Sequence, residues 1–168
     1  TRKASVKSWL ASEAFSAARG AAQLTVVATL AGELKLADAR DQLVKLVSNR
    51  SPDVAGAAVE ALTMIGVGDA ADSIAKILER TRGNSNLKFR IQALDALATS
   101  GKDGALDVVI KFARSKDPEM RAIAMGSLTL AAKNRKALRA LLDGLNDKAP
   151  GVRSVALRSL SRLREKAM

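Results

Sequence analysis

The sequence contains no cysteine, no histidine and no tyrosine, and aromatic residues fill only 2% of its 168 positions. Without cysteine there is no thiol nucleophile and no disulfide, and without Cys and His most types of zinc site are excluded. Histidine is also the commonest general base near neutral pH. These absences argue against an enzyme, and we expect no catalytic residue, no metal site and no cofactor.

Long apolar runs are missing as well. The longest candidate, residues 24–31, is less than half of the roughly 18–20 residues that a membrane span needs. We therefore expect no transmembrane segment. We also expect no signal peptide, because no long apolar region follows the basic residues 1–3. A cytoplasmic location is slightly favoured, although cytosolic and exported proteins can both lack cysteine. The chain begins with Thr1 rather than Met, as a domain excised from a longer protein would.

Most of the 48% apolar content comes from Ala, Leu and Val. Ala and Leu are strong helix formers, and small apolar side chains let helices approach closely. The spacing of the apolar residues predicts an all-α protein of ten helices in five antiparallel pairs. The first pair is expected over residues 4–15 and 16–35, and the last helix over residues 150–166.

One short phrase recurs along the chain: a turn, a helix start, an apolar residue, and a Leu eight positions later. Its first apolar residue occurs at Val54, Phe89, Met120 and Val152, at intervals of 35, 31 and 32. The preceding helices align independently through Lys45, Lys76, Lys111 and Asp143, at intervals of 31, 35 and 32. Two frames with matching intervals predict internal repeats, stacked as an α-α superhelix, or solenoid, of about five helical hairpins.

The repeated phrase, Pro-x-apolar-Arg-x-x-Ala-x-x-x-Leu, resembles that of HEAT repeats, including their PBS-lyase-type variants. The last helix supplies it through Pro150, Val152, Arg153, Ala156 and Leu160. The resemblance implies one HEAT-like domain over residues 1–168, with repeats at about 4–35, 38–66, 69–99, 103–132 and 135–167. It also implies an interaction scaffold that binds a protein or peptide partner.

In HEAT repeats the Arg of the phrase pairs with a polar turn residue six positions earlier, in a ladder that runs between repeats. The resemblance therefore gives Arg90, Arg121 and Arg153 a structural role. The polar turn positions of this frame are Asn49, Asn84, Ser115 and Asp147. Ala55 stands where the second repeat should have Arg, so we expect the ladder to weaken there.

The net charge of +11 is uneven, at +4 over residues 1–50, −1 over 51–100 and +8 over 101–168. On the last helix Arg158, Arg162 and Lys166 form a stripe at i, i+4, i+8, and Arg139 adds charge nearby. One interpretation is a surface for an anionic partner. The other is a polar cap that closes the end of the stack.

In the resemblance, second helices line the concave face, where such solenoids bind. The position of Arg158 reads Glu60, Asp95 and Gly126 in the preceding repeats, so this face changes from acidic to basic. A nucleic-acid groove should be basic throughout and carry stacking aromatics. The charge gradient therefore favours a protein or peptide partner that contacts the concave face and the basic C-terminal end.

Two alternatives stay open. The first is a nucleic-acid-binding solenoid that makes phosphate contacts; Lys45, Lys76 and Lys111 would align as an anionic track, although ordinary solvent-facing lysine on the outer face is the favoured interpretation. The second, weaker alternative is a subunit like the bilin lyases, for which the chain has no specific motif.

Overall fold

The computed structural model describes the backbone of residues 2–81 and 87–167, and the side chains of residues 6–81 and 87–163. Within these ranges every regular element is helical. The eleven α-helices are α1 Arg2–Ala11, α2 Glu13–Ala17, α3 Ala21–Glu33, α4 Arg40–Leu46, α5 Pro52–Ile65, α6 Ala70–Arg80, α7 Leu87–Thr99, α8 Asp103–Phe112, α9 Pro118–Leu128, α10 Arg135–Gly144 and α11 Pro150–Ala167. Short 3₁₀ turns cover Ala37–Ala39 and Thr129–Ala131. The all-α prediction is confirmed.

The starts of the second helices follow directly from local sequence. Pro occupies the first turn of α5 and α9, where its missing N–H costs nothing. The Asp117 side chain accepts a hydrogen bond from the backbone N of Glu119 (2.9 Å) and caps α9, and Asn134 caps α10 through the N of Lys136 (2.8 Å). The Asp117 cap lies in the turn between α8 and α9, and the Asn134 cap marks the start of the last hairpin.

The chain divides into two compact units, residues 1–96 (unit 1) and residues 97–168 (unit 2), and the division falls inside α7. In unit 1, α3 packs against α5, and α4 pairs with α5 as a hairpin. In unit 2, α8 pairs with α9 and α10 with α11, and the second helices α9 and α11 pack against each other. The repeat boundaries and the single domain predicted above stay predictions.

The unit 1 core is built from small side chains at close approach. A methyl group placed on Gly32 of α3 would lie 2.6 Å from the Cα of Ala61 in α5, so α3 and α5 can pack this closely only because Gly32 has no side chain. Ala28, Ala31 and Ala58 on these two helices are 0% exposed. The alanine-rich composition is used for close helix packing.

The first hairpin differs from the prediction of two helices over residues 4–15 and 16–35. The first helix ends at Ala11 and restarts as the short α2, and the second begins only at Ala21. The Ser12 hydroxyl donates to the Ser8 carbonyl oxygen (2.9 Å) at this break. Gly20, at φ 92°, adopts a conformation that L side chains rarely take and sets the start of α3.

Among the described residues, no helix combines the length and the hydropathy needed to cross a membrane.

Candidate interaction site

Unit 2 contains an open cleft of about 530 Å³. It lies where the end of α7 and the start of α8 meet the segment between α9 and α10, with one wall from α11. We call it the unit 2 cleft. Its lining residues are Ala98, Thr99, Gly101, Lys102, Asp103, Leu106, Thr129, Leu130, Ala131, Ala132, Lys133, Asn134 and Leu163.

The walls of the cleft are largely apolar. Leu130 is 55% exposed although it belongs to the most apolar residue class, whereas Leu106 beneath is buried at 4%. Leu163 of α11 contributes a half-buried wall. An exposed leucine inside a concave, mostly apolar cleft is suited to receive an apolar side chain of another molecule.

Charged side chains surround this apolar part. Lys133 is exposed and Lys102 half-buried, and Asp103 is exposed in the first turn of α8. Arg162 is exposed on α11 directly before the lining residue Leu163. Two lining lysines and one lining carboxylate, with Arg162 next to a lining residue in the sequence, favour a ligand with net negative charge beside its apolar group.

Unit 1 has a second apolar hollow, of about 370 Å³, beside the exposed Trp9. Its lining residues are Trp9, Ala14, Ala17, Ala18, Ala22, Gln23, Val26 and Val27, and none is charged. Binding sites usually combine apolar walls with a few polar groups that fix the ligand's orientation. The unit 2 cleft has such groups, and the unit 1 hollow has only Gln23.

The predicted cationic stripe lies next to the cleft. Arg158 and Arg162 are both exposed on α11, and Arg139 is exposed on α10. The side chain of Lys166 lies outside the described residues. Leu157, also on α11, is 58% exposed, so the surface of this helix is not purely polar.

The predicted acidic positions lie in unit 1. Glu60 is exposed on α5, and its Oε2 accepts a hydrogen bond from Nε2 of Gln92 on α7 (3.1 Å). Asp95 is half-buried on α7. Glu60 thus joins α5 to α7 while it faces solvent.

The three lysines Lys45, Lys76 and Lys111 are exposed on the first helices α4, α6 and α8. Each follows an Asp by four residues on its own helix: Asp41, Asp72 and Asp107. In α10 the same two positions are reversed in charge, as Arg139 and Asp143. Opposite charges at i, i+4 support a helix, which offers a structural interpretation of these lysines beside that of an anionic track.

A cross-helix ion pair joins the first helices of unit 2. The Lys136 ammonium of α10 contacts a carboxylate oxygen of Asp107 on α8 at 3.0 Å, and both side chains are more than half exposed. The hydrogen bond to Asp107 raises the pKa of Lys136. An exposed pair of this kind contributes little to stability.

Arg121 joins the two hairpins of unit 2 at their turns. Its Nη1 donates to the backbone oxygens of Ser115 (2.9 Å) and Lys116 (3.1 Å) in the turn before its own helix. Its Nε and Nη2 donate to the two carboxylate oxygens of Asp147, each at 2.8 Å. Ser115, six positions before Arg121, therefore accepts a hydrogen bond through its backbone carbonyl. The carboxylate comes instead from Asp147 in the following turn.

Both oxygens of the Asp147 carboxylate accept hydrogen bonds. Besides Arg121, it accepts a hydrogen bond from the backbone N of Ala149 (2.8 Å), at the turn before α11. The hydrogen bonds from Arg121 hold the pKa of Asp147 below its usual 3.8, and the same contact raises the pKa of the Arg121 guanidinium. The Arg121 side chain is only 6% exposed, so this pair has a structural role.

The other ladder positions differ from Arg121. Arg153 donates from Nη1 to the backbone oxygens of Asp147 (2.9 Å) and Lys148 (3.2 Å), yet it is exposed. Arg90 is buried and donates from Nη2 to the Thr81 oxygen (2.9 Å).

The second repeat, where Ala55 replaces the arginine, has a cavity of about 160 Å³ beside its turn. Asn49 lines this cavity and caps its own turn, since its Oδ1 accepts from the backbone N of Ser51 (2.9 Å). Asn84 lies outside the described residues.

A family model for HEAT repeats matches residues 74–161, just over half of the chain. The chain belongs to the HEAT-repeat family. HEAT repeats commonly mediate protein–protein interactions, and HEAT-repeat proteins are generally non-catalytic. No curated protein matches the chain. In the described part of this HEAT-repeat protein, no three or more Asp or Glu side chains are grouped so that they could hold a metal ion.

Sequence reasoning missed the cleft. Leu130, Lys102 and Lys133 lie in the connections between hairpins, where repeat periodicity carries little information. One signal was available: the position of Leu130 reads Met64, Thr99 and Arg162 in the other repeats. An apolar residue at a position that is exposed in all four repeats could have indicated an interaction site.

Proposed function

We propose that this HEAT-repeat protein is a non-catalytic interaction module, and that the unit 2 cleft binds a protein segment carrying an apolar side chain flanked by Asp or Glu. The observation that carries the proposal is the exposed Leu130 in an apolar cleft that Lys102 and Lys133 also line. The apolar side chain would supply the burial, and the acidic neighbours would set its orientation.

The charge of unit 2 supports an acidic partner. Residues 97–168 contain 15 Lys and Arg against 7 Asp and Glu, a net charge of +8. A field of this sign raises the association rate of an acidic partner at low ionic strength. Arg158, Arg139 and Lys166 belong to this proposed surface as contributors to long-range attraction.

The acidic residues Glu60 and Asp95 on the second helices of unit 1 enter the proposal separately. We propose that they contact a basic part of the same partner through the concave face. This would give the partner a direction, because its acidic segment would favour unit 2 and its basic segment unit 1.

Selection of short random peptides displayed on phage, with the full chain immobilised, tests the proposal. The expected peptides carry an aliphatic or aromatic residue flanked by Asp or Glu. Leu130→Glu and Arg162→Glu should each weaken the best peptide about tenfold or more, which corresponds to roughly 1.4 kcal/mol.

Val26→Glu and Arg50→Glu are the matched controls. Val26 is 57% exposed and Arg50 is exposed, both in unit 1, so they introduce the same charges away from the cleft. Circular dichroism checks that every variant keeps its helix content. The proposal would be contradicted if the enriched peptides lacked acidic residues, or if Leu130→Glu left the affinity for the best peptide unchanged.

Nucleic-acid binding is the second candidate, favoured by the exposed Arg158 and Arg162 and by the charge of unit 2. Fluorescence anisotropy with a labelled DNA duplex, from about 50 to 200 mM salt, separates the two. A slope of several units in log K against log salt, with affinity lost in Arg158→Glu, would favour DNA over protein. We expect weak retention without such a slope, because Glu60 and Asp95 interrupt a continuous basic face.

A further inference from the structure

Unit 2 contains a second hollow, of about 200 Å³, between its two hairpins and beside the Arg121–Asp147 pair. One side comes from α8 and the turn after it, and the other side comes from α10. We call it the inter-hairpin pocket. Among the described residues, it shares no lining residue with the unit 2 cleft. It is smaller than the roughly 300–1,000 Å³ of sites for drug-sized ligands, so it suits a small molecule.

The inner wall of the inter-hairpin pocket is apolar. Met125 of α9 and Ala140 of α10 line it and are 4% and 7% exposed. Ile110 of α8 lines it as well and is half-buried. The Met125 Sδ lies 2.8 Å from the place of a methyl group on Gly144, so the thioether packs directly against α10. A small aliphatic group would be removed from water by contact with these side chains.

Two side chains of opposite charge line the same pocket. Arg114, in the turn after α8, and Asp143 of α10 are both exposed. Among the described residues, neither forms an ion pair, with the other or with Arg139 four positions before Asp143. Asp147 differs, because both of its oxygens already accept hydrogen bonds from Arg121. One guanidinium and one carboxylate therefore remain available beside the apolar wall.

The cavity of the second repeat shows which of these features recur. Some of its lining residues occupy the same repeat positions as lining residues of the inter-hairpin pocket: Val47 for Ala113, Ser48 for Arg114 and Ile77 for Gly144. Of its described lining residues only Arg50 is charged. A hollow between hairpins thus recurs in the stack, whereas the combination of a guanidinium with a free carboxylate belongs to the inter-hairpin pocket.

An α-amino acid combines the three groups that this pocket can bind. At neutral pH it carries both a carboxylate and an ammonium. The Arg114 guanidinium can donate two parallel hydrogen bonds to the carboxylate, and Asp143 can accept from the ammonium. An aliphatic side chain would lie against the apolar wall. A ligand with only one of the two charges would leave Arg114 or Asp143 without a partner, and therefore binds less tightly.

We propose that the inter-hairpin pocket binds a free α-amino acid with an aliphatic side chain, such as leucine. Its carboxylate contacts Arg114 and its ammonium contacts Asp143, while its side chain packs against Met125. This binding site is independent of the protein-segment site in the unit 2 cleft.

Nuclear magnetic resonance of the methionine methyl groups tests the proposal. The chain has four methionines, and ¹³C-methyl labelling follows Met125 in the pocket and Met64 in unit 1 as an internal control. A Met125→Leu variant assigns the signal. We expect L-leucine to shift the Met125 methyl signal saturably, with a Kd below about 1 mM, and to leave the Met64 signal in place. A weaker Kd, no saturable shift, or an equal shift of Met64 would overturn the proposal.

Two analogues and two variants assign the contacts of the charged groups. Isocaproate lacks the ammonium of leucine and isoamylamine lacks its carboxylate, so each should bind at least tenfold more weakly than leucine. Arg114→Gln should weaken leucine binding at least tenfold and leave isoamylamine unchanged. Asp143→Asn should weaken leucine binding by a similar factor and leave isocaproate unchanged. Both positions are exposed, and circular dichroism checks that both variants keep their helix content.

Arg50→Gln is the matched control, because it removes the guanidinium from the cavity of the second repeat and should leave the affinity for leucine unchanged. The proposal is wrong if either analogue binds as tightly as leucine, or if Arg114→Gln and Asp143→Asn bind leucine as the unaltered chain does, since the pocket would then accept any apolar molecule. Leu130→Glu, which disrupts the unit 2 cleft, should not change leucine binding, so the two sites succeed or fail separately.

Discussion

Gly32 illustrates how a single residue sets the spacing of two helices. In an isolated helix, Ala is more favourable than Gly by roughly 0.8–1 kcal/mol. At Gly32, however, the added methyl would meet the Ala61 backbone at 2.6 Å, and backbone cannot move aside as a flexible side chain can. The propensity gain is therefore outweighed by the clash.

We expect Gly32→Ala to destabilise the protein by about 1–3 kcal/mol, because α3 must shift away from α5. Gly126→Ala is the control: it lies within α9, is exposed, and has open space around its missing methyl. This control should stabilise the protein by roughly 0.5–1 kcal/mol. Urea denaturation measures both, and equal effects of the two substitutions would refute the close-packing explanation.

The Asp147 carboxylate predicts a pH dependence. Its pKa is lowered in the folded state by Arg121, so the unfolded state binds the proton more tightly. The resulting stability is fully present above the unfolded pKa of about 3.9 and is lost as the pH falls through the lower folded pKa.

Asp147→Asn should lower the melting temperature by a few degrees near neutral pH and have a smaller effect at the acid end of a titration from about pH 6 to 2. Thermal denaturation followed by circular dichroism measures this. A loss of stability in Asp147→Asn that persists undiminished at pH 2 would show that the ion pair is not its cause.

At the scale of the element, helix positions followed well from the sequence wherever a Pro or an Asx cap marks the start. Pro52 and Pro118 begin α5 and α9, and Asn134 caps α10, as the residue types at these positions favour. The first hairpin failed because periodicity continues across Ser12, where the helix breaks. Apolar spacing fixes which face is buried but not where a helix is interrupted.

Leu141 and Leu142 are neighbours on α10 with the same side chain but different burial. Leu141 is 0% exposed and Leu142 is 49% exposed, although the two are neighbours in one helix. Leu141→Ala should cost about 2–5 kcal/mol of unfolding free energy through lost burial and a cavity. Leu142→Ala should cost less than about 1 kcal/mol, since half of that side chain is already in water. Similar losses in both variants, measured by urea denaturation, would contradict the orientation of α10.

At the scale of the whole molecule, the repeat intervals were enough to predict a solenoid of helical hairpins, because two independent frames gave matching spacings. The family followed from the repeated phrase, which resembles that of HEAT repeats. The resemblance also implied a structural role for the arginines at the turns. It did not show that the carboxylate bound to Arg121 comes from Asp147 in the following turn. The interaction site was less accessible. Leu130, Lys102 and Lys133 become neighbours only when consecutive hairpins are arranged in space, and no periodicity in the sequence encodes this proximity.

The central claim is that the unit 2 cleft is the binding site of this HEAT-repeat protein, and a nuclear magnetic resonance titration tests it most directly. An acidic, leucine-containing peptide selected on the chain is added to ¹⁵N-labelled protein, and backbone amide shifts are followed. We predict that the largest shifts cluster at residues 98–106, 129–134 and 162–163, and that Leu130→Glu abolishes them. Largest shifts on the first helices around Lys45, Lys76 and Lys111 would contradict the account.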